Sequence, residues 1–223
     1  MKVVALVPIK TNNERLPGKN TKKFDDGTPL CDLLFGTLSN VNNIDEKYCF
    51  CSDENIRDFL PEEIKFVKRS KELDRSVTSI NEVISAFIDA VDADYYVLLH
   101  TTSPFIEKRT IEKCVEVVIS KEYDSALSVL RLSDFFWDSK GPVNFDPSNI
   151  KRTQDLEPFY KETSGVYVFS KTLFRSTNRR VGFNPFFCNV SLTESVDIND
   201  AEEFEIANAI HMKANSKHNI MSN

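Results

Sequence analysis

The sequence predicts an α/β fold with a mostly parallel sheet flanked by helices. Short apolar runs alternate with amphipathic stretches along the chain, which is the pattern of a parallel sheet whose crossovers are helices. The first run, Val3–Ile9, is almost continuously apolar, as expected for a strand covered on both faces. With 223 residues, 41% of them hydrophobic, the chain can bury the core of one larger α/β domain or of two small ones.

Apolar runs and helical stripes place the individual elements in order. Strands are predicted at residues 3–9, 48–51, 64–67, 95–99, 126–130, 166–169 and 186–190. Helices are predicted over residues 29–41 and 107–121, behind Ser79, and from Asn199 onward. Ser79 followed by Glu82 is a capping-box pattern, and Glu202 stands third after Asn199.

One segment, residues 133–158, breaks this alternation. It contains Gly141, Pro142, Pro147 and Pro158 among many polar residues. Glycine and proline at this density disfavour another strand and helix, so the segment is predicted to be an excursion from the main sheet.

Charge and composition exclude several classes of protein. The net charge of −6 argues against a general nucleic-acid binder, which needs a broad basic surface. The six glycines are too widely spaced for a dinucleotide fingerprint or a P-loop. No stretch has the ~18 apolar residues of a membrane helix, and the N-terminus lacks a signal-peptide cleavage site. An odd count of five cysteines fits a reducing cytosol, so we expect a cytoplasmic protein that neither spans nor binds a membrane.

The first strand and the loop after it form a positively charged segment in a chain that is negative overall. Between residues 1 and 24 there are six cations and a single anion, Glu14, which makes this segment +5 and the remainder −11. Because ligands of open α/β sheets sit at the carboxyl ends of strands, the loop is a candidate anion site. Pro17-Gly18 predicts a tight turn that can present backbone N–H groups and direct Lys19 inward. A solvated basic loop is the alternative.

The segment VPIKTNNERLPGKN resembles the nucleotide-binding signature of the CMP-N-acetylneuraminate synthetase (acylneuraminate cytidylyltransferase) family, which reads roughly I-P-A-R-x-x-S-K-x-L-P-x-K-N. The resemblance implies that Lys19 and Asn20 contact a triphosphate and that Lys19 is catalytic. Lys10 stands where the family usually has Arg, so it keeps the charge without the planar fork. Lys10 and Arg15 are expected to assist in nucleotide binding.

Three further strand-end segments resemble the family in the same order. CSDENI implies a nucleotide or metal contact for Asp53, although a helix cap is an equal alternative. FVKRSKELDRSVTSI places Arg69 on the family's arginine, with a nucleotide or phosphate role. LLHTTSPFI resembles L-L-Q-P-T-S-P-L-R, which implies sugar contacts for His100, Thr102 and Ser103, with His100 replacing a glutamine and suggesting a different sugar or binding mode.

The last two segments imply the sugar pocket and the metal site. YKETSGVYVFS resembles the family segment that ends in a glycine before a tyrosine-containing strand. Gly165 is expected to let the ligand approach the backbone closely. Glu162 and Thr163 are expected to line the sugar pocket, with support of the turn as the alternative. SVDINDAEEFEIA resembles S-x-D-I-D-x-x-x-D-x, which implies that Asp197 is a catalytic Mg²⁺ ligand. Asn199 replaces the family's second acid and can coordinate through its carbonyl, or it can be a helix N-cap. Asp200 is a further candidate ligand.

Taken over residues 2–210, the resemblance implies a Rossmann-like fold of the nucleotide-diphospho-sugar transferase type in a single cytidylyltransferase domain, residues 1–223. It implies CTP and a nonulosonic (sialic-acid-like) sugar as substrates, Mg²⁺ as cofactor and pyrophosphate as product. It also implies a homodimer that contacts its partner through residues 133–158. Phe135, Phe136 and Trp137 cluster there and are expected to anchor the partner subunit, with a local mini-core as the alternative. A 3-deoxy-octulosonate cytidylyltransferase and a non-catalytic nucleotide- or sugar-binding relative are the alternatives.

Overall fold

A seven-stranded sheet in which all strands but one run in the same direction forms the centre of the fold. The computed structural model describes residues 1–221, with side chains as far as residue 216. The strands are β1 (Val3–Ile9), β2 (Glu46–Cys51), β3 (Ile64–Lys68), β4 (Tyr95–Leu99), β5 (Ser125–Leu132), β6 (Trp137–Asp138), β7 (Gly141–Pro142), β8 (Phe159–Ser170) and β9 (Pro185–Asn189). The helices are α1 (Leu30–Ser39), α2 (Ile80–Ala90), α3 (Lys108–Ile119), α4 (Lys171–Thr177) and α5 (Ala201–Met221).

The strand order is β3-β2-β1-β4-β8-β5-β9, which confirms the predicted mostly parallel α/β class. Helices cover both faces of the sheet, so both faces of β1 are buried. Val3, Ala5 and Val7 pack on the side of α1 and α3. Val4 and Leu6 pack on the other side, with α2 and α4. In the part of the chain that is described, no helix is long and apolar enough to cross a membrane.

The structure confirms the predicted cap of one helix and the predicted bounds of two strands. Ser79 caps α2 through the backbone N–H of Glu82, and the Glu82 carboxylate accepts a hydrogen bond from the backbone N–H of Ser79 at 2.7 Å. This is the reciprocal capping box that the sequence predicts. The strands at residues 3–9 and 95–99 have the predicted bounds.

One predicted strand is too short, one helix is missed and one predicted helix cap is wrong. The strand expected at residues 166–169 begins at Phe159, is 12 residues long and runs antiparallel to β4 and β5. The short helix α4 has too few residues to show a periodic stripe. Helix α5 is not capped by Asn199: the Asp200 carboxylate accepts a hydrogen bond from the backbone N–H of Glu203 at 3.0 Å and so takes the capping role.

The segment of residues 133–158 leaves the main sheet, as predicted. It holds the two-stranded β6–β7 hairpin and a small aromatic cluster of its own, in which Phe145 contacts Phe135 and Trp137. Trp137 nevertheless stays 64% exposed. The excursion therefore presents apolar surface to solvent instead of adding to the core.

A third apolar cluster joins the first loop to the start of α5. Leu16 and Phe24 from the loop pack with Ile198 and Phe204, and the rings of Phe24 and Phe204 are stacked with their centroids 5.1 Å apart. This packing brings the first loop and the start of α5 together at the carboxyl ends of the parallel strands.

Candidate functional site

The first loop directs its central lysine into the protein. Gly18 has a φ of +64°, a left-handed conformation that suits glycine, and the short 3-10 turn Lys19–Thr21 follows it, as the Pro17-Gly18 pair predicts. Lys19 is only 8% exposed, and its ammonium donates to the backbone carbonyl of Ile198 at 2.7 Å. Burial lowers the pKa of Lys19, and the nearby charge of Asp197 opposes that shift. The predicted catalytic pair, Lys19 and Asp197, is thus brought together.

Asn20 ties the first loop to the loop after β4. Its amide nitrogen donates to the carbonyl of Lys10 at 2.7 Å, and its amide oxygen accepts from the hydroxyl of Thr101 at 2.6 Å. Asn20 and Thr101 are both buried. The structure therefore gives Asn20 a role in shaping the loop, with Thr101 as its unpredicted partner, whereas Lys10 makes no side-chain ion pair in the described chain.

Asp197 and Asn199 form a second polar group beside Lys19. The Asn199 amide nitrogen donates to the Asp197 carboxylate at 3.3 Å, and its amide oxygen accepts from the guanidinium of Arg15 at 3.2 Å. The backbone N–H of Asn199 donates to the Glu203 carboxylate at 2.6 Å. Arg15 thus holds, in this arrangement, the oxygen that a cation would use.

The oxygen atoms at this position suit Mg²⁺. Hard cations prefer carboxylate and carbonyl oxygens, and Mg²⁺ is commonly held by one or two carboxylates together with substrate phosphates. Asp197 supplies one carboxylate and Asn199 one amide carbonyl, with Glu203 close by. Within the described residues there is no cluster of three or more acidic, histidine or cysteine side chains placed to hold a metal. The donor set fits a hard cation that takes its remaining ligands from phosphate oxygens.

A cavity of about 320 Å³ opens beside this pair and joins it to β8. Its walls include Asp197 and Asn199 on one side and Glu162 and Thr163 on the other. The predicted metal ligands and two of the predicted sugar-binding residues therefore face the same space.

A bulge in β8 shapes the sugar side of this space. Leu127 of β5 pairs with Tyr167, yet Val129 pairs with Glu162, so the chain between Glu162 and Tyr167 departs from the regular ladder. The hydroxyl of Ser128 fills the bulge: it accepts from the hydroxyl of Thr163 at 2.7 Å and from the backbone N–H of Val166 at 3.0 Å.

Gly165 is required by this close packing. A Cβ atom at Gly165 would lie 2.9 Å from the Ser128 hydroxyl and 3.0 Å from Ile106. The structure places Gly165 in the bulge itself, so its absent side chain makes room for protein and not only for a ligand.

His100 at the end of β4 is held in one tautomer. Its Nδ1 lies 2.8 Å from the carbonyl of Ser164 in the β8 bulge, and because a carbonyl only accepts, Nδ1 carries the hydrogen. Burial lowers the pKa of His100, so the neutral ring is favoured, with Nε2 as the acceptor. Thr102 and Ser103, in the loop after β4, bind two neighbouring segments. Ser103 donates to the carbonyl of Thr163 in β8 at 3.3 Å, and the carbonyl of Thr102 accepts from the N–H of Ile198 at 2.8 Å.

The remaining nucleotide candidates lie at the ends of β2 and β3. Arg69 is 4% exposed and forms an ion pair with Asp74, while its Nε is buried without a partner among the described residues. An unpartnered buried N–H at the strand ends suits a phosphate or base oxygen. Asp53 instead caps the 3-10 helix Glu54–Phe59 by accepting from the N–H of Asn55 at 3.0 Å, the alternative role that the sequence allows.

Two residues that contact Glu162 have no counterpart among the site residues predicted from the sequence. Tyr167 lies fully buried with His100 edge-on to its ring, and its hydroxyl donates to Glu162. Arg180, from the loop between α4 and β9, donates to Glu162 at 2.7 Å. The apolar stripe of the strand marks Tyr167 only as core, and no strand-end position marks Arg180.

Comparison with known proteins places this geometry in a family. The family model described as "Cytidylyltransferase" matches residues 4–207. A solved structure of CMP:2-keto-3-deoxy-manno-octonic acid synthetase complexed with CTP is similar with a TM-score of 0.71 at 14% identity, covering 96% of this chain and 100% of that chain. The structural similarity confirms the fold.

Curated relatives cover most of the chain at low identity. N-acylneuraminate cytidylyltransferase A of Danio rerio is 24% identical over 92% of this chain and 50% of its own length. CMP-N,N'-diacetyllegionaminic acid synthase of Legionella pneumophila is 25% identical over 89% of this chain and 91% of its own length. The chain thus spans about half the length of the N-acylneuraminate cytidylyltransferases that it matches.

Proposed function

The chain belongs to the cytidylyltransferase family, and from this membership we propose that it joins CMP from CTP to a nonulosonic (sialic-acid-like) sugar acid and releases pyrophosphate. The observation that carries the proposal is the hydrogen bond from the Lys19 ammonium to the carbonyl of Ile198. It fixes a buried cation one residue from Asp197, at the edge where ligands of such sheets bind.

In the proposed reaction the anomeric hydroxyl oxygen of the sugar acid bonds to the α-phosphorus of CTP, and the hydroxyl proton passes to solvent. The bond from that phosphorus to the pyrophosphate oxygen breaks, and the negative charge grows on pyrophosphate. Lys19, with Lys10 and Arg15 from the same loop, offsets that charge. Such transfers rely mostly on positioning and charge stabilisation. The ties made by Asn20 and Ser103 serve positioning by holding the loops that carry the charges.

Asp197 and Asn199 would hold a Mg²⁺ ion. When bound, the ion supplies Lewis-acid stabilisation of phosphate oxygens. The guanidinium of Arg15 must then leave the Asn199 oxygen, and the triphosphate is the anion that it would meet next. On the other wall of the cavity, Glu162 and Thr163 would receive the sugar, with His100 behind them at the Ser164 carbonyl.

We further propose that residues 1–223 act as one cytidylyltransferase domain and that a second copy of the chain packs on the excursion. Trp137 and Ile150 are each 64% exposed there, and Phe159 at the adjoining end of β8 is 42% exposed. Aromatic and aliphatic surface of this kind suits the centre of an interface. Sedimentation at micromolar concentration is expected to show a dimer, and a monomer that persists to high concentration contradicts this part of the proposal.

Pyrophosphate release from CTP with a panel of sugar acids tests the proposed function. The panel holds N-acetylneuraminate, N,N'-diacetyllegionaminate and 3-deoxy-manno-octulosonate, each assayed with and without Mg²⁺. We expect release with one of the nine-carbon acids only when Mg²⁺ is present. Release with the octulosonate alone would move the chain to that class of cytidylyltransferase. Binding of CTP by calorimetry without release for any sugar would identify a non-catalytic relative.

A further inference from the structure

Arg180 is held in a fixed orientation against Glu162, one of the residues that line the cavity. Its Nη2 donates to the Glu162 carboxylate at 2.7 Å and to the Tyr167 hydroxyl at 3.2 Å. The guanidinium carbon lies 3.9 Å from the centroid of the Tyr167 ring. A guanidinium that is stacked on an aromatic face and bonded at one nitrogen has lost most of its freedom before any ligand arrives.

The loop that carries Arg180 is also fixed. The Asp124 carboxylate accepts from the backbone N–H groups of Phe183 at 2.6 Å and Asn184 at 2.9 Å, and the N–H of Gly182 donates to the Ser125 hydroxyl at 2.8 Å. Glycine is required at 182, since a Cβ atom there would lie 2.3 Å from the Asp124 carboxylate. The start of β5 therefore sets the position of the loop.

The residues that line the cavity carry more negative than positive charge, so an anionic ligand needs an additional cation. Asp197, Glu162 and Glu203 all line the cavity, and the predicted sugar-binding residues bring no fixed cation. A sugar acid carries a carboxylate, which such a wall repels. Nη1 and Nε of Arg180 make no hydrogen bond with any group that the structure describes, so these N–H donors are open to an anionic oxygen.

We propose that Arg180 binds the carboxylate of the acceptor sugar and thereby selects sugar acids over neutral sugars. The inference rests on the proposed function, because that function supplies the sugar acid. Glu162 orients the guanidinium through Nη2, and Nη1 and Nε meet the substrate carboxylate in charge-assisted hydrogen bonds. Arg180 is thus a specificity residue, reached from a loop that holds none of the residues predicted from the sequence.

Lys161 is a cation that lines the cavity directly, next to Glu162. It is exposed, and no ion pair of the described chain orients it. A flexible ammonium of this kind loses side-chain entropy on binding, which an oriented guanidinium has already lost. Lys161 therefore serves as the competing candidate in the test.

Calorimetry with an acid and its ester tests the inference. Each panel acid and its methyl ester, which lacks the negative charge, is titrated into wild-type protein and into Arg180→Met, Lys161→Met and Arg179→Met. Arg179 is the matched control, because it donates to the carbonyl of Gly182 at 3.2 Å and lies over Phe183, away from Glu162. Loss of one charge-assisted contact should weaken binding by roughly 10- to 100-fold.

We expect wild type, Lys161→Met and Arg179→Met to prefer the acid over the ester by that factor. Arg180→Met should bind acid and ester equally. The inference is overturned if Arg180→Met retains the wild-type preference, if Lys161→Met loses it, or if wild type binds none of the acids. Binding of the acid without pyrophosphate release, with the preference lost in Arg180→Met, supports the inference while removing the proposed function.

Discussion

Lys19→Met is expected to lower the rate of pyrophosphate release by about 10²- to 10³-fold, the effect of removing one preorganised donor from a developing oxyanion. Methionine keeps the length of the side chain and removes only the charge. Lys19 is the buried cation of the first loop, so a solvated neighbour cannot take its place at the same atom. The measurement is the rate at saturating CTP and sugar.

The same substitution leaves the carbonyl of Ile198 without its donor. An unsatisfied buried acceptor costs about 1–3 kcal/mol, which corresponds to a fall in Tm of roughly 2–12 °C for a chain of this size. Lys23→Met is the matched control: it removes one positive charge from the same loop, at an exposed side chain. Its rate should stay near that of wild type. A folded Lys19→Met with a near-normal rate would remove the lysine from the mechanism.

Sequence periodicity identifies helices and strands that are buried on one face or on both. It misses strands whose length and direction depend on pairing with residues far away in the sequence. The strand β1 is apolar on both faces, so its pattern survives without any knowledge of its neighbours. The outer half of β8 is exposed, and the antiparallel direction of β8 follows from the long excursion before it. Neither feature leaves a local signal in the residues of the strand.

Residues in loops that follow strands are predicted better than residues that arrive from elsewhere. Lys19 follows β1 and Asp197 follows β9, and the structure brings them together. Arg180 reaches Glu162 from the loop after α4, and Thr101 acts only through its bond to Asn20. The charge of a residue can be read from the sequence, but its partner 18 or 81 positions away cannot.

Asn199 stands where the resemblance implies a second acid, and this leads to two opposite predictions: removing the carboxylate of Asp197 should weaken the Mg²⁺ site, and adding one at residue 199 should strengthen it. Asp197→Asn removes the one carboxylate of the proposed Mg²⁺ site and should lower the rate by about 10²-fold or more, since metal stabilisation of phosphate oxygens is worth several kcal/mol. Asn199→Asp should lower the Mg²⁺ concentration that gives half-maximal rate, by roughly tenfold, because a second carboxylate holds a hard cation more tightly than an amide does.

Without metal, Asn199→Asp replaces the hydrogen bond between Asn199 and Asp197 by repulsion of two carboxylates. The variant should therefore have a lower Tm than wild type in chelator and a higher Tm gain on adding Mg²⁺, a readout that does not depend on turnover. Asn149→Asp, on the exposed excursion, adds the same charge away from the cavity and should leave both quantities unchanged. If Asn199→Asp changes neither the Tm gain nor the Mg²⁺ dependence, the amide only positions Asp197 and Arg15. The cation then depends on Asp197 and the triphosphate alone, and Arg15 keeps its hydrogen bond to Asn199 when the metal binds.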